Sequence, residues 1–190
     1  MLGVAAVTAG PGVTNAITAL KNAQMAQSPL LVLGGAAATM LRGRGALQDI
    51  DQISLLRSTV KYFGQVRRIC QLVPKLRQAW DTAFHGVPGP VFLECPVDVL
   101  YPEALVREWY SRKSKGPVSL LESITQAYIR FHVNRLFAGS DRPLAEMGYT
   151  EDFRIDQPSH RSLRAVSQAL QQANRPVLLL GSGSMLSPTM

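Results

Sequence analysis

The stretch that decides the fold runs from residue 3 to residue 27 and reads GVAAVT, AGPG, then VTNAITALKNAQMAQ. Its opening apolar run is typical of a strand buried in a parallel sheet. Gly10 and Gly12 allow backbone angles that are closed to other residues, and they let a ligand approach the main chain. Thr14 or Asn15 is expected to cap the helix that follows. Strand, glycine turn and helix N-terminus together form the usual ligand position of an open α/β sheet.

The order of the next elements predicts an α/β fold. Ser28-Pro29 ends the first helix, and residues 30–33 give a second buried strand. After a long loop over 34–51, the patterns predict a strand over 60–66, a helix from Pro74 to Phe84 and a strand over 91–95. This order favours a parallel sheet flanked by helices, which we expect to occupy residues 1–100. The predicted apolar face of the later helix is Val73, Leu76, Ala79, Trp80 and Ala83.

The remaining residues differ in composition and predict two further parts. Residues 101–160 are interpreted as an interdomain linker with one helix over 120–137. The apolar positions of that helix recur in rough periodicity, and they are Leu121, Ile124, Ala127, Tyr128, Phe131 and Leu136. Residues 161–190 are interpreted as the truncated beginning of a second α/β domain, with a helix from Ser162 and a strand over 177–180. One strand does not make a domain, and Met1 leads directly into a strand. We therefore expect the chain to be an internal fragment of a longer polypeptide.

Composition excludes several classes of protein. Hydrophobic residues make up 46% of the chain, and the longest apolar stretch, over 30–41, is shorter than the about 20 residues that a membrane helix needs. The net charge is +7, but the arginines are scattered, which disfavours a nucleic-acid partner. Cys70 and Cys95 are expected to be buried free thiols. The three histidines, His85, His132 and His160, do not have the spacing of metal ligands.

Four motifs follow one another along the first half of the chain. They are TAGPGVTN at 8–15, NAQMAQSP at 22–29, LQDID at 47–51 and GVPGPVFLECPVDV at 86–99. In this order they resemble the pyrimidine-binding domain of thiamine-diphosphate enzymes of the acetolactate synthase family. Within that family the chain is most similar to the animal acetolactate synthase-like branch, which is related to the 2-hydroxyacyl-CoA lyases. The resemblance covers residues 1 to about 102 strongly, and the rest more weakly.

The resemblance implies a cofactor site. Thr8, Pro11 and Asn15 would contact the aminopyrimidine of thiamine diphosphate, although the amide of Asn15 is equally suited to capping the helix. Gln48 stands at the place of the glutamine in the family's Phe-Gln-Glu segment and would reach the cofactor or the substrate; the alternative is a solvated loop glutamine. Leu47 replaces the phenylalanine, which weakens an assignment as a true acetolactate synthase.

No catalytic residue is assigned within the chain. The family's glutamate would fall before Met1, and Glu94 and Glu103 follow a later strand, so neither takes its place. Magnesium would be held with the diphosphate by a C-terminal domain that this chain does not include. The segment from Gly181 is not a full dinucleotide fingerprint, because Leu186 stands where the last glycine should be. The central domain of true acetolactate synthases binds FAD, and FAD is left open here without support, because one truncated strand cannot carry that assignment.

The resemblance also implies an activity and partners. The parent protein would make or break a carbon–carbon bond next to a carbonyl, by 2-hydroxyacyl-CoA cleavage or acetolactate-type condensation. Its substrate would be a small 2-hydroxyacyl or 2-keto acid compound, its assembly a homodimer or tetramer, and its location the endoplasmic reticulum membrane. The fragment alone is predicted to be inactive. The alternative is a non-catalytic truncated form that binds the full-length enzyme through a retained dimer surface.

Overall fold

The structure, a computed structural model, describes residues 1–111, 120–140 and 158–181. The described residues contain a four-stranded sheet in the order β1-β2-β4-β3, and every neighbouring pair is parallel. This confirms the predicted α/β class with a parallel sheet. The strands are β1 Gly3–Val7, β2 Leu30–Ala36, β3 Tyr62–Gln65 and β4 Pro90–Pro96.

Six α-helices accompany the sheet within the described residues. They are α1 Pro11–Met25, α2 Gln52–Leu56, α3 Leu72–Phe84, α4 Glu103–Tyr110, α5 Leu120–Phe137 and α6 His160–Gln172. Short 3₁₀ turns occur at Ile69–Gln71 and Val97–Val99. The sequence patterns predicted α1, α3, α5 and α6, but not α2 or α4, which span only 5 and 8 residues. Such short helices show too few turns for their periodicity to be recognised.

β4 lies at the centre of the core, and all seven of its residues are buried. Side chains alternate along a strand, so β4 supplies both faces of the sheet. Val91, Leu93 and Cys95 join a cluster with residues of α3, α4 and α5. Phe92 joins a second cluster with residues of α1 and α2. Glu94, two residues after Phe92, is thereby placed towards the second face.

The beginning of α1 differs from the prediction. Gly10 is the N-cap residue, and because glycine has no side chain, no side chain caps the helix; Pro11 occupies a first-turn position. Proline suits that position, since its fixed φ is helical and it has no N–H to leave unpaired. Thr14 instead donates its hydroxyl proton to the carbonyl of Pro11 at 3.0 Å. The prediction that Thr14 or Asn15 caps the helix was wrong.

The apolar faces predicted for α3 and α5 are buried only in part. On α3, Ala79 and Ala83 are buried as expected, but Trp80 is half exposed. The buried side chains of α5 are Val133, Leu136 and Phe137 at its C-terminal end. The other apolar positions of α5 are exposed, and they are Leu120, Leu121, Ile124, Tyr128 and Phe131. Only the last turns of α5 reach the core around α4.

The later parts of the chain pack little. Residues 158–181, including all of α6, are exposed, and the predicted strand over 177–180 does not form. A strand needs a neighbour to pair its backbone groups, and none is available to it among the described residues. The predicted turn beyond Gly181 lies outside the described residues, as do linker residues 112–119 and 141–157. No helix in the described ranges is long and apolar enough to cross a membrane.

Candidate functional site

The candidate site lies where β1, β2 and β4 end. In a parallel sheet these carboxyl ends share one edge, and ligands bind there. Register places Val7, Gly34, Glu94 and Gln65 in one row across the four strands. The glycine turn leaves this row after β1, and a loop over 37–51, which we call the glutamine loop, leaves it after β2. Gln48 belongs to that loop.

The glycine turn and the glutamine loop are in direct contact. A Cβ atom on Gly10 would lie 3.0 Å from the Cα atom of Gln48. Both residues have left-handed backbone angles, with φ of 62° at Gly10 and 65° at Gln48. A Cβ on Gly12 would lie 2.7 Å from Cγ2 of Thr8, and one on Gly35 would lie 3.0 Å from the backbone nitrogen of Ala9. Because Gly10, Gly12 and Gly35 have no side chain, the glycine turn can pack closely against the glutamine loop, the end of β1 and β2.

The structure thus brings together most of the residues proposed from the sequence. Thr8, Pro11 and Gln48 surround the glycine turn, and all three are exposed. Asn15 is also exposed, and it lies four residues after Pro11 on the same face of α1. That these four side chains contact a cofactor stays a prediction.

Beneath this surface lies a buried carboxylate that the sequence did not assign to the site. Glu94 is fully buried, and its Oε1 lies 2.6 Å from Nη1 of Arg42 in the glutamine loop. The same oxygen accepts a hydrogen bond from Nε2 of Gln65 at 2.7 Å. Arg67 donates to Oε1 of Gln65 at 2.7 Å. Oε2 of Glu94 has no hydrogen-bond partner among the described residues.

A second buried carboxylate, Asp98, holds the beginning of the same loop. Its Oδ2 accepts from the backbone N–H of Thr39 at 2.9 Å, from the Thr39 hydroxyl, and from the hydroxyl of Tyr110 at 3.0 Å. Because the Thr39 proton is directed at Asp98, Thr39 Oγ1 accepts from Nε2–H of His132 at 2.7 Å. The cluster joins the loop to α4 and α5.

The surroundings shift the pKa values of these groups. Burial, the charge of Asp98 and the hydrogen bond to it all raise the pKa of Tyr110 far above its usual value. Burial lowers the pKa of His132, against the opposing effect of the Asp98 charge. Burial, with the neighbouring Glu94, raises the pKa of the Cys95 thiol to about 11. These groups therefore stay uncharged at neutral pH.

A sequence signal for this layer existed in β4. Glu94 interrupts an apolar run and Asp98 follows it closely, and charged residues at buried positions require partners. Their partners, Arg42 and Thr39, are more than 50 residues earlier, so the pattern along the chain did not reveal the pairing. His132 looked isolated for the same reason. In the described part of the chain, no group of three metal-ligating side chains occurs.

Comparison with known proteins identifies the part of the chain that carries this site. Residues 1–55 match the family model described as "Thiamine pyrophosphate enzyme, N-terminal TPP binding domain". This part of the chain is therefore similar to the N-terminal domain of that family. The match includes the four predicted contact residues Thr8, Pro11, Asn15 and Gln48, whereas Glu94 and Asp98 lie beyond it. It confirms the family resemblance derived from the motifs.

Curated relatives extend the similarity along the chain. It is 47% identical over 190 residues to the 2-hydroxyacyl-CoA lyase 2 of Danio rerio, covering 99% of this chain and 30% of that protein. The Homo sapiens 2-hydroxyacyl-CoA lyase 2 is 48% identical over 188 residues, covering 99% and 29%. The Escherichia coli acetolactate synthase isozyme 3 large subunit is 42% identical over 194 residues, covering 96% and 31%. The chain spans about 30% of the length of these relatives.

The matched segment presents polar groups beside the glycine turn. The first turn of α1 has no side-chain cap, so the N–H groups of Gly12 and Val13 are not claimed by a capping side chain. Gln48 lies against Gly10 and carries an exposed amide that can both donate and accept hydrogen bonds.

Proposed function

We propose that the chain is part of a thiamine-diphosphate-dependent enzyme that makes or breaks a carbon–carbon bond next to a carbonyl. The observation that carries the proposal is the contact of Gln48 with Gly10 inside the segment that matches the thiamine pyrophosphate-binding family. Cleavage of a 2-hydroxyacyl-CoA is the favoured reaction, because the relatives at 47% and 48% identity carry that name. Leu47, in place of the phenylalanine of acetolactate synthases, supports the same choice over acetolactate formation.

In this proposal the chain supplies the pyrimidine wall of the active site. Thiamine diphosphate, when bound, provides the electron sink for cleavage or formation of the bond. The exposed side chains of Thr8 and Pro11, beside the glycine turn, line the ring, and Asn15 offers an amide one helical turn further along. Gln48 holds the ring or the substrate carbonyl by a hydrogen bond. Magnesium and the diphosphate are proposed to bind outside this chain.

The whole-protein properties remain proposals drawn from the resemblance. A homodimer or tetramer would complete the site, since family active sites form between subunits. The endoplasmic reticulum membrane is the proposed location of the parent protein, which cell fractionation with organelle markers would test. A parent found only in another compartment would remove that assignment and leave the chemistry of the site unaffected.

A chimera tests the proposed activity. The 188 aligned residues of the human 2-hydroxyacyl-CoA lyase 2 are replaced with those of this chain, and cleavage of a 2-hydroxyacyl-CoA is measured with thiamine diphosphate and magnesium. We expect the chimera to cleave the substrate, and the 190-residue chain alone to show no turnover. Gln48→Ala should lower kcat/KM by about 10- to 1,000-fold, the range for losing one hydrogen bond to a reacting group.

The matched control is Gln172→Ala, because Gln172 is an exposed glutamine at the end of α6, outside the matched segment. It should leave kcat/KM unchanged. A folded chimera without thiamine-dependent cleavage, or one in which Gln48→Ala behaves like Gln172→Ala, would contradict the proposal. Turnover by the isolated 190 residues would contradict the predicted inactivity of the chain alone.

One observation favours the second candidate, a non-catalytic form that binds the full-length enzyme. The exposed apolar positions of α5 recur at Leu121, Ile124, Tyr128 and Phe131, which is the spacing of one helix face. Exposed apolar stripes of this kind favour association. An immunoblot against residues 101–160 separates the candidates. A natural band near 20.7 kDa that co-purifies with a full-length lyase supports the truncated form, and a much larger band alone counts against it.

A further inference from the structure

We propose that Glu94 and Asp98 are positioning residues, which hold the glutamine loop so that Gln48 lies against Gly10. The two carboxylates stand four residues apart at the end of β4, and each is fully buried. Each binds a different residue of the loop, Arg42 and Thr39 respectively. The catalytic consequence rests on the proposed function, whereas the anchoring of the loop does not.

The glutamine loop has little apolar packing of its own. Leu41 is 48% exposed and Leu47 is 90% exposed, and the other two large apolar side chains of the loop, Met40 and Ile50, are only partly buried. Gly43 and Gly45 have left-handed φ angles, and a Cβ on either would meet nothing within 4 Å. Hydrophobic burial is the usual force that fixes a segment, and here it is weak. The conformation of the loop therefore depends on its polar contacts.

The Glu94 anchor is strong because the carboxylate has no access to water. A buried carboxylate is costly unless it is paired, so Glu94 favours the loop conformation that delivers the guanidinium of Arg42. Arg42 is only partly exposed, with 33% of its side chain accessible. Gln65 holds the same Oε1 from the side of β3, which fixes the direction in which Arg42 must approach.

The Asp98 anchor binds the loop through the backbone as well as a side chain. Asp98 accepts from both the N–H and the hydroxyl of Thr39, a two-point contact that sets the direction of the chain as it leaves β2. Tyr110 and His132 complete the cluster from α4 and α5. Around Gln48 the loop closes on itself, because the N–H of Gly43 donates to the carboxylate of Asp49. Two fixed points and one internal tie thus define the path to Gln48.

Hydrogen exchange of the 190-residue chain tests the anchoring directly. Glu94→Gln and Asp98→Asn keep the shape of each side chain and remove its charge. We expect amides over 37–51 to exchange about tenfold faster in either variant, which is the loss of roughly 1.4 kcal/mol from a hydrogen bond to a charged group. Amides of α3, on the other side of the sheet, should change much less.

Glu103→Gln is the matched control, because Glu103 forms an exposed ion pair with Arg107 on α4. It loses the same charge and should leave exchange of the loop unchanged. If either anchor variant unfolds, Arg42→Gln removes the guanidinium that pairs with Glu94, and Thr39→Val removes the hydroxyl bond to Asp98 while the backbone bond stays. Arg42→Lys keeps a cation and should restore part of the protection that Arg42→Gln loses. Loop exchange at the wild-type rate in folded anchor variants would overturn the proposal, as would acceleration spread evenly over loop and α3.

The chimera separates this proposal from the proposed function. With the loop loosened by Arg42→Gln, we expect the KM for thiamine diphosphate to rise by about tenfold and Arg42→Lys to recover part of it. A loop that loosens while KM and kcat stay at their wild-type values would support the anchoring and overturn the cofactor role of Gln48. A loop that does not loosen would overturn the anchoring, whatever the chimera does.

Discussion

The Cα atom of Gln48 lies so close to Gly10 that a Cβ on Gly10 would come within 3.0 Å of it. The two residues are 38 positions apart in the sequence. Both adopt left-handed backbone angles at the contact. The contact joins the end of β1 to the glutamine loop, and it makes Gly10 a residue that tolerates no side chain for two independent reasons.

Gly10→Ala tests the two reasons together. The left-handed φ of Gly10 disfavours any L-residue, and the new methyl group would also push against Gln48. We expect the free energy of unfolding to fall by about 2–4 kcal/mol, the sum of backbone strain and overpacking. Urea denaturation followed by circular dichroism measures this loss.

Gly43→Ala is the control for backbone strain alone. Gly43 has a similar φ of 69°, but a Cβ there would meet nothing within 4 Å. It should lower the free energy of unfolding by only about 1 kcal/mol. Equal losses in the two variants would show that the contact with Gln48 has no energetic weight.

A side chain at position 34 would clash with a core residue rather than with a loop. A Cβ on Gly34 would lie 2.0 Å from Cζ of Phe92, whose side chain is fully buried. Gly34→Ala should therefore cost about 2–4 kcal/mol of unfolding free energy through overpacking, or prevent folding. Phe92→Leu removes Cζ and should make the same glycine substitution much less costly.

A double-mutant cycle on these two positions measures the interaction energy between them. The Gly34→Ala, Phe92→Leu double variant should be more stable than the sum of the two single losses predicts, because the residues are in contact. Gly3→Ala, where the nearest atom is the flexible end of Leu30 at 3.3 Å, should cost less than Gly34→Ala. Strict additivity between Gly34 and Phe92 would contradict the packing described for this face of the sheet.

His132 predicts a loss of stability in acid. Burial lowers its pKa in the folded state, with Arg135 acting in the same direction and the charge of Asp98 opposing both. The unfolded chain, with an ordinary histidine pKa of about 6.5, therefore binds more protons than the folded chain. The resulting stability is present above that pH and is lost as the pH falls through the lowered pKa of the folded state.

His132→Gln isolates this contribution. Gln keeps a donor towards Thr39 and does not titrate, while the carboxylates contribute equally to both proteins. Unfolding measured between pH 7.5 and 5 should show a steeper loss for the wild type than for the variant. Parallel curves for the two proteins would contradict the buried neutral state of His132.

Much of the fold was predictable because its signals are local. The apolar run before Gly10, the proline after Ser28 and the buried strand over 91–95 each report on neighbouring residues, and each element formed where expected. The expectation that the first strand is buried was wrong, because β1 lies at the edge of the sheet and most of its residues are exposed. The predicted strand over 177–180 failed because pairing is not a local property, and its apolar residues are exposed. The apolar face of α5 was likewise visible as a pattern. Which turns of the helix are buried follows from its packing beside α4 and β4, which the pattern does not report.

The candidate site likewise has a part that local motifs predicted and a part that depends on tertiary contacts. Gln48 and the glycine turn were placed by motifs, and the structure adds that their backbones touch. The layer below, in which Glu94 binds Arg42, depends on two segments meeting across the sheet. A charged residue in a buried strand indicates that some residue pairs with it. Which residue that is follows only from the tertiary fold.

The two cysteines offer a direct measure of how the β4 core opens. Cys95 is buried in β4 and its pKa is raised to about 11, whereas Cys70 is partly exposed, contrary to the expectation that both would be buried. At pH 8 only about one thousandth of the Cys95 thiol is thiolate, the reactive form, and it is shielded as well. Iodoacetamide should therefore alkylate Cys70 first, and Cys95 only at the rate at which the sheet unfolds.

Mass spectrometry of tryptic peptides follows the two reactions separately, and Cys70→Ser leaves Cys95 as the sole probe. In that variant, urea should accelerate labelling of Cys95 in parallel with the loss of folded structure. Fast labelling of Cys95 in the folded protein would show that the centre of the sheet is open, and with it the strand that carries Glu94.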